Sequence, residues 1–319
     1  MDALPITDEK TVSYRSTVEG KMHACGHDGH VAILLTVVEI IKAHGARLSG
    51  RVVFVFQPAE EIVKGAKAML QDGGLDGMSI DHVVGLHLSS TDPLGTVVVR
   101  EGPVMAATDS FRIVIKGRGG HAAYPNACID PIVATSQMVL ALQTLISRET
   151  DPIDQAVISI TSCHGGTAYN IIPEEVELKG TLRTFDSATR SRLRARTLEV
   201  VDTTAGLHRC SSTIDWREGA PAVVNDSTAV KHFRRVATRM LGEENLVVRA
   251  PSMGGDDMSL WLEQAPGCYF FVGTSSGPDT SFAHHHSRFD LDERGLEIAV
   301  GLLASYIADL MGMAPPAQA

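Results

Sequence analysis

The chain has 319 residues, 44% hydrophobic and 21% charged, with 28 basic against 38 acidic side chains and a formal net charge of −10. That composition describes an ordinary globular protein of one large or two medium domains and excludes fibrous, collagen-like and wholly disordered chains. The acidic balance argues against nucleic acid or an anionic membrane surface as a partner and leaves a small molecule as the expected one.

The predicted elements alternate between helix and strand. Residues 31–43 form a mostly apolar run of helical length, and 51–56 is a β-branched and aromatic run that predicts a buried strand ending at Gln57-Pro58. Further strands are expected at 82–88 and 96–100, where near-continuous hydrophobicity suggests a sheet covered on both faces. From Asp109 the texture changes, because Phe111, Ile113 and Ile115 alternate with polar residues as in a strand with one solvated face. A helix at 130–147, strands at 156–162 and 176–184, an Arg-rich helix at 187–201 and a strand at 211–216 complete a β-α-β-β-α-β order. Beyond Pro221 come a helix at 227–241, a Gly-rich turn at 253–257, a strand at 269–273 and a closing helix at 291–311, with a polar Pro/Ala tail from residue 314. The expected organisation is therefore an α/β domain of residues 1–107 and 222–319, interrupted by an inserted α/β sandwich at 108–221.

No apolar stretch approaches the roughly 20 residues of a membrane span. The opening MDALPITDEK lacks the basic start and apolar run of a secretory signal, so a cytoplasmic protein is expected. Cys25, Cys128, Cys163, Cys210 and Cys268 lie far apart and odd in number, which does not suggest a disulfide framework. Cys25 differs from the rest in its setting. It lies in Met22-His23-Ala24-Cys25-Gly26-His27-Asp28-Gly29-His30, a thiol among three imidazoles just before a helix. A borderline-soft divalent ion binds that donor mixture well. The plain alternative is a polar helix entrance capped by Asp28, with solvated histidines.

Three more segments bear on the same chemistry. Glu60 and Glu61 follow a predicted strand, at the end where ligands gather in open α/β sheets. Adjacent side chains point different ways, so one carboxylate can ligate while the other moves protons; taken alone, however, the pair reads sooner as a solvated first turn of a helix. His87 ends a third apolar strand, and His284-His285-His286 is an internal histidine run. Together these supply sulfur, nitrogen and oxygen donors from neighbouring strand ends, as a dinuclear hydrolase site with ions about 3.5–4 Å apart requires.

The sequence resembles the aminoacylase and carboxypeptidase-like dinuclear metallopeptidases, in the amidohydrolase branch that contains hippurate hydrolase and the plant auxin–amino acid conjugate hydrolases. The matching stretches, in order, are MDALPI, MHACGHDGH, FQPAEE, GLH, GRGGHAAYP, Asn170-Ile171-Ile172-Pro173, GTLRTFD, MGGDDM and HHSRFDLDE. The resemblance implies a phosphorylase/hydrolase-like catalytic domain, with a mixed central sheet flanked by helices, and an inserted ferredoxin-like lid or dimerisation domain. It implies that Cys25, His27, Glu61, His87 and His285 hold two divalent metal ions, manganese or zinc ahead of cobalt or nickel. Glu60 then corresponds to the general base and Asp2 to a carboxylate that orients the metal pocket. On the insertion, His121 corresponds to an oxyanion partner, and Asn170 and Arg183 to residues that grip the substrate's terminal carboxylate. The implied activity is hydrolysis of the amide bond of N-acyl amino acids or related amides, in a homodimer or homotetramer associated through the lid. Family members extend upstream of the MDALPI match, so the resemblance also implies a missing N-terminal segment: either the true start lies upstream of Met1, or the protein is a shortened one. The alternatives are a non-catalytic truncated homologue and a dipeptide or N-carbamoyl hydrolase on the same scaffold.

Overall fold

A computed structural model describes residues 2–44 and 48–312. Met1 and the expected tail from residue 314 lie outside the described residues. Helices α1 (His27–His44) and α2 (Gly65–Gln71) precede β1 (Val83–Pro93), β2 (Val97–Val98) and β3 (Gly102–Met105). Next come β4 (Ala107–Lys116), β5 (Gly120–His121), α3 (Pro131–Ser147), β6 (Ala156–His164), β7 (Ile171–Ile172), β8 (Glu175–Thr184), α4 (Ser187–Leu207) and β9 (Ser211–Glu218). The chain closes with β10 (Val223–Asn225), α5 (Ser227–Leu241), β11 (Leu246–Val247), α6 (Met258–Leu262), β12 (Gly267–Ser275) and α7 (Arg294–Leu310).

Two units divide these elements. The first takes in the chain up to Val104, Val224–Ala250 and the chain from Asp257 onward; the second takes in Met105–Val223 and Pro251–Asp256.

In the first unit a mixed four-stranded sheet runs β1-β12-β2-β11, with β1 parallel to β12, β12 antiparallel to β2, and β2 parallel to β11. Ile33, Val37 and Ile41 recur every four residues along α1, so they share one face. That face enters a core with Leu88, Phe270 and Val272 of the sheet, Phe233 of α5 and Tyr306 of α7. Each buried side chain of this size removes about 1.5–3 kcal/mol worth of apolar surface from water, which is what ties the sheet to its helices.

The predicted strand at 51–56 is not one. Among the described residues this segment has no ladder partner, and strand geometry is sustained by its neighbours rather than by β-propensity alone. Val52 and Phe54 pack against the core, whereas Val53 and Phe56 are exposed. The alternation of a half-buried strand is present, but the hydrogen bonds of one are not.

The second unit carries the antiparallel sheet β6-β8-β4-β9. Phe111, Ile113 and Ile115 point into its core, against Met138, Leu142 and Leu145 of α3 and Leu193 and Val201 of α4. Asp130, Asp186 and Asp226 begin α3, α4 and α5 by accepting hydrogen bonds from Ile132, Thr189 and Ala229 backbone N–H groups. No helix among the described residues is long and apolar enough to cross a membrane.

Candidate metal centre

The site lies in the first unit and is built from four short stretches. The first is the bend before α1. Gly26 there has φ 89°, a left-handed conformation that glycine adopts without penalty, and it turns the chain so that Cys25 and His27 sit at the head of the helix.

The second stretch is Gln57–Glu61. Ala59 and Val63 both take positive φ, 57° and 53°, which flanks the two glutamates with strained backbone. Such residues cost about 1–3 kcal/mol each and persist only where their surroundings over-determine them. Here the Ala59 carbonyl accepts from the N–H groups of Lys64 and Gly65. Gln57 donates to Asp257 Oδ1 at 2.7 Å and accepts from Trp261 Nε1 at 2.6 Å, while Ala66 N–H donates to Asp257 Oδ2.

The third stretch is the middle of β1. His87 Nδ1 lies 2.6 Å from the Leu88 carbonyl oxygen. An oxygen there can only accept, so Nδ1 carries the proton and Nε2 presents a lone pair. That Nε2 is 3.6 Å from Cys25 Sγ. The fourth stretch is the loop before α7, where His285 has φ 67° and its N–H donates to the Ala24 carbonyl at 2.7 Å.

These pieces place two triads around one sulfur. Ligand atoms of Cys25, His27 and His87 lie within 4.8 Å of one another, and so do those of Cys25, Glu61 and His285. His285 Nε2 is 3.3 Å from Glu61 Oε2, while Glu61 Oε1 is buried without a hydrogen-bond partner. Glu60 and Asp2 form a third group with His27: Glu60 Oε2 is 3.7 Å from Nε2 and Asp2 Oδ2 is 3.6 Å from Nδ1. Asp2 also accepts the Glu61 N–H at 2.9 Å, so one carboxylate faces both an imidazole and the backbone of the neighbouring donor.

Desolvation pushes His87 down to about 4 despite its hydrogen bond to Leu88, and pushes His284 to about 3. His30 is held well below its ordinary value by the same cause. All three rings are neutral at neutral pH, the form in which imidazole can offer a lone pair. An orphaned buried carboxylate oxygen and a shared sulfur with three imidazoles fit a pair of borderline divalent ions.

The three remaining predicted residues belong to the second unit. His121 and Asn170 come together at the short β5–β7 ladder, where His121 pairs with Ile171 and the Asn170 carbonyl accepts from Ala122 N–H. His121 Nδ1 accepts from Ala123 N–H, ordering its own turn. Arg183 donates to the carbonyl oxygens of Asp109 and Leu182.

Two histidines stand in the donor-rich segments of the sequence but are given no role there. His30 Nε2 accepts the Leu88 N–H at 3.0 Å; its position three residues after His27 on one helix face is the signal that could have found it. His284 Nδ1 lies 3.4 Å from Cys25 Sγ. The histidine run pointed to that loop but not to which of its rings faces the sulfur.

The α/β architecture is shared with proteins of known structure. Residues 1–309 match Peptidase family M20/M25/M40, and the chain belongs to that family. It is 40% identical over 309 residues to IAA-amino acid hydrolase ILR1-like 2 of Arabidopsis thaliana, covering 96% of this chain and 70% of that protein. It is 39% identical over 310 residues to the N-acetylcysteine deacetylase of Bacillus subtilis, covering 97% of this chain and 78% of the relative. The crystal structure of Bacillus subtilis YXEP protein, described as a dinuclear metal binding peptidase from the M20 family, superposes with a TM-score of 0.82 at 35% identity. That likeness covers 98% of this chain and 80% of the other.

Proposed function

We propose that this chain is a metal-dependent amidohydrolase that cleaves the amide bond of N-acyl amino acids, releasing a carboxylic acid and an amino acid. The observation that carries the reading is the pair of donor triads sharing Cys25, with Glu60 beside them. The names of two relatives, an IAA-amino acid hydrolase and an N-acetylcysteine deacetylase, favour an acylated amino acid as substrate.

Cys25, His27 and His87 would hold one ion and Cys25, Glu61 and His285 the other, with manganese or zinc as the occupants. Bound there, the ions would supply Lewis acidity for the scissile carbonyl and lower the pKa of a water. Glu60 takes a proton from the attacking water and returns it to the departing nitrogen, so the residue ends as it began. Asp2 holds the His27 ring and the Glu61 backbone in register. On the second unit, His121 is proposed as the oxyanion's hydrogen-bond partner, and Asn170 and Arg183 as the holders of the substrate carboxylate, for which a guanidinium fork is suited. That unit is also the proposed lid and the proposed surface for a homodimer or homotetramer, in a protein acting in the cytoplasm.

The test is a hydrolysis screen of N-acetyl, N-benzoyl and indole-acetyl amino acids, with dipeptides and N-carbamoyl amino acids alongside, on chain loaded with manganese, zinc, cobalt or nickel. Release of free amino acid from N-acyl substrates is expected. Cleavage of only the other two classes would move the assignment, and a metal-loaded chain inert on all of them would overturn it.

A further inference from the structure

The Cys25 sulfur has a neighbour that neither triad uses. His284 Nδ1 lies 3.4 Å from Sγ, yet His284 is in neither group of donors that converge within 4.8 Å. Its ring reaches the sulfur.

Packing fixes that ring. It meets His87 edge-on at 5.1 Å between centroids and Phe289 at 5.2 Å. Phe289 is buried in a small core with Met22 and Ala24, the residues that lead into Cys25. The backbone contributes as well. His285 is in the left-handed conformation with its N–H on the Ala24 carbonyl, so successive side chains diverge: His285 goes to Glu61 and His284 to Cys25.

We propose that His284 is a positioning residue that donates an Nδ1–H hydrogen bond to the Cys25 thiolate. The inference rests on the reading of Cys25 as the ligand shared by two ions. A thiolate sulfur carries three lone pairs, so in that role two go to metals and the third can accept an N–H. Accepting it withdraws charge from the sulfur and pins the direction of its remaining lone pairs, as outer hydrogen bonds do for other ligands. The set is then asymmetric in function: five side chains offer donor atoms to the ions, and His284 governs how strongly one of them donates.

The experiment uses the full chain loaded with cobalt, whose sulfur-to-metal charge-transfer band in the near ultraviolet reports the electron density on the thiolate. Wild type is compared with His284→Phe, which keeps a packed ring without a donor, with His284→Ala as a second donor-free variant, and with His284→Asn, which restores an N–H near the place of Nδ1. Metal-to-protein ratio and cobalt affinity by chelator competition are measured for each. The expected result is a band moved to lower energy in the donor-free variants, an unchanged ratio, and a band returned towards wild type in His284→Asn. An unmoved band at full metal loading would remove the hydrogen bond from the account. Loss of metal from all three variants would make His284 a ligand instead. A wild-type protein that binds cobalt without any such band would overturn the assignment of Cys25, and this inference with it.

Discussion

The backbone N–H of Leu88 donates to Nε2 of His30 at 3.0 Å, and the carbonyl of the same residue accepts from His87. One residue of β1 is thus clasped by two imidazoles, one from the helix that carries His27 and one from the strand itself. His30 spends its Nε2 lone pair on this bond, which makes it a support for the strand rather than a metal donor through that atom. Replacing His30 with Ala leaves the Leu88 N–H without its partner in a desolvated place, and a loss of about 1–3 kcal/mol is expected. Urea denaturation of the metal-free protein measures it; an unchanged midpoint would show that water replaces the ring without penalty.

Glu60 belongs to neither triad but lies 3.7 Å from His27 of the first. Glu60→Gln keeps the shape and removes the base, so kcat is expected to fall by roughly 10²–10⁴, with metal content unchanged. Single-turnover rates and elemental analysis on the same sample separate the two quantities. Full activity in this variant would transfer the proton to another group.

Cys25 is common to both triads. Cys25→Ala is therefore expected to lower occupancy of both ions, not of one, and to diminish the stabilisation that ligand binding confers. With metal at about 100 times its dissociation constant, that stabilisation is about 2.7 kcal/mol. Wild type should melt at a lower temperature when a chelator is added, and Cys25→Ala should respond far less. Equal responses would count against the sulfur.

Gly65 allows the Gln57–Glu61 turn to close: a Cβ at this position would lie 1.6 Å from the Pro58 carbonyl oxygen. Backbone cannot yield as a side-chain tip does, so Gly65→Ala must move the segment that carries both glutamates. A stability loss of at least about 2 kcal/mol is expected, accompanied by reduced metal content. Denaturation curves and elemental analysis test the two parts separately.

Acid stability has a contributor away from the site. Burial raises the Asp8 carboxyl, but hydrogen bonds from the Ser16 and Lys10 backbones, joined by the Lys10 ammonium at 3.2 Å, outweigh it and hold the group below its ordinary value. A folded pKa below the unfolded one stabilises the protein at pH above the unfolded value of about 3.9, and the contribution is lost as pH falls through the folded value. Asp8→Asn is expected to be less stable than wild type at neutral pH, with the difference shrinking as pH drops below 4. Paired denaturation curves across that range decide it, and a gap that stays constant or widens would contradict the assignment.

The sequence by itself determined the kinds of donor available, the alternation that sets which face of β4 is buried, and the aspartates that start three helices. These are local properties, written in residue type and spacing. It also gave Arg51 to Phe56 the look of a strand, which the structure does not honour, because a ladder needs a neighbour that spacing cannot supply. Only the tertiary structure brought Cys25 to His87, 62 residues away, and to His284, 259 residues away. The same holds for ring orientation: His285 faces Glu61 and His284 faces the sulfur because of one left-handed residue and one long-range backbone hydrogen bond, and no pattern in three consecutive histidines encodes that choice.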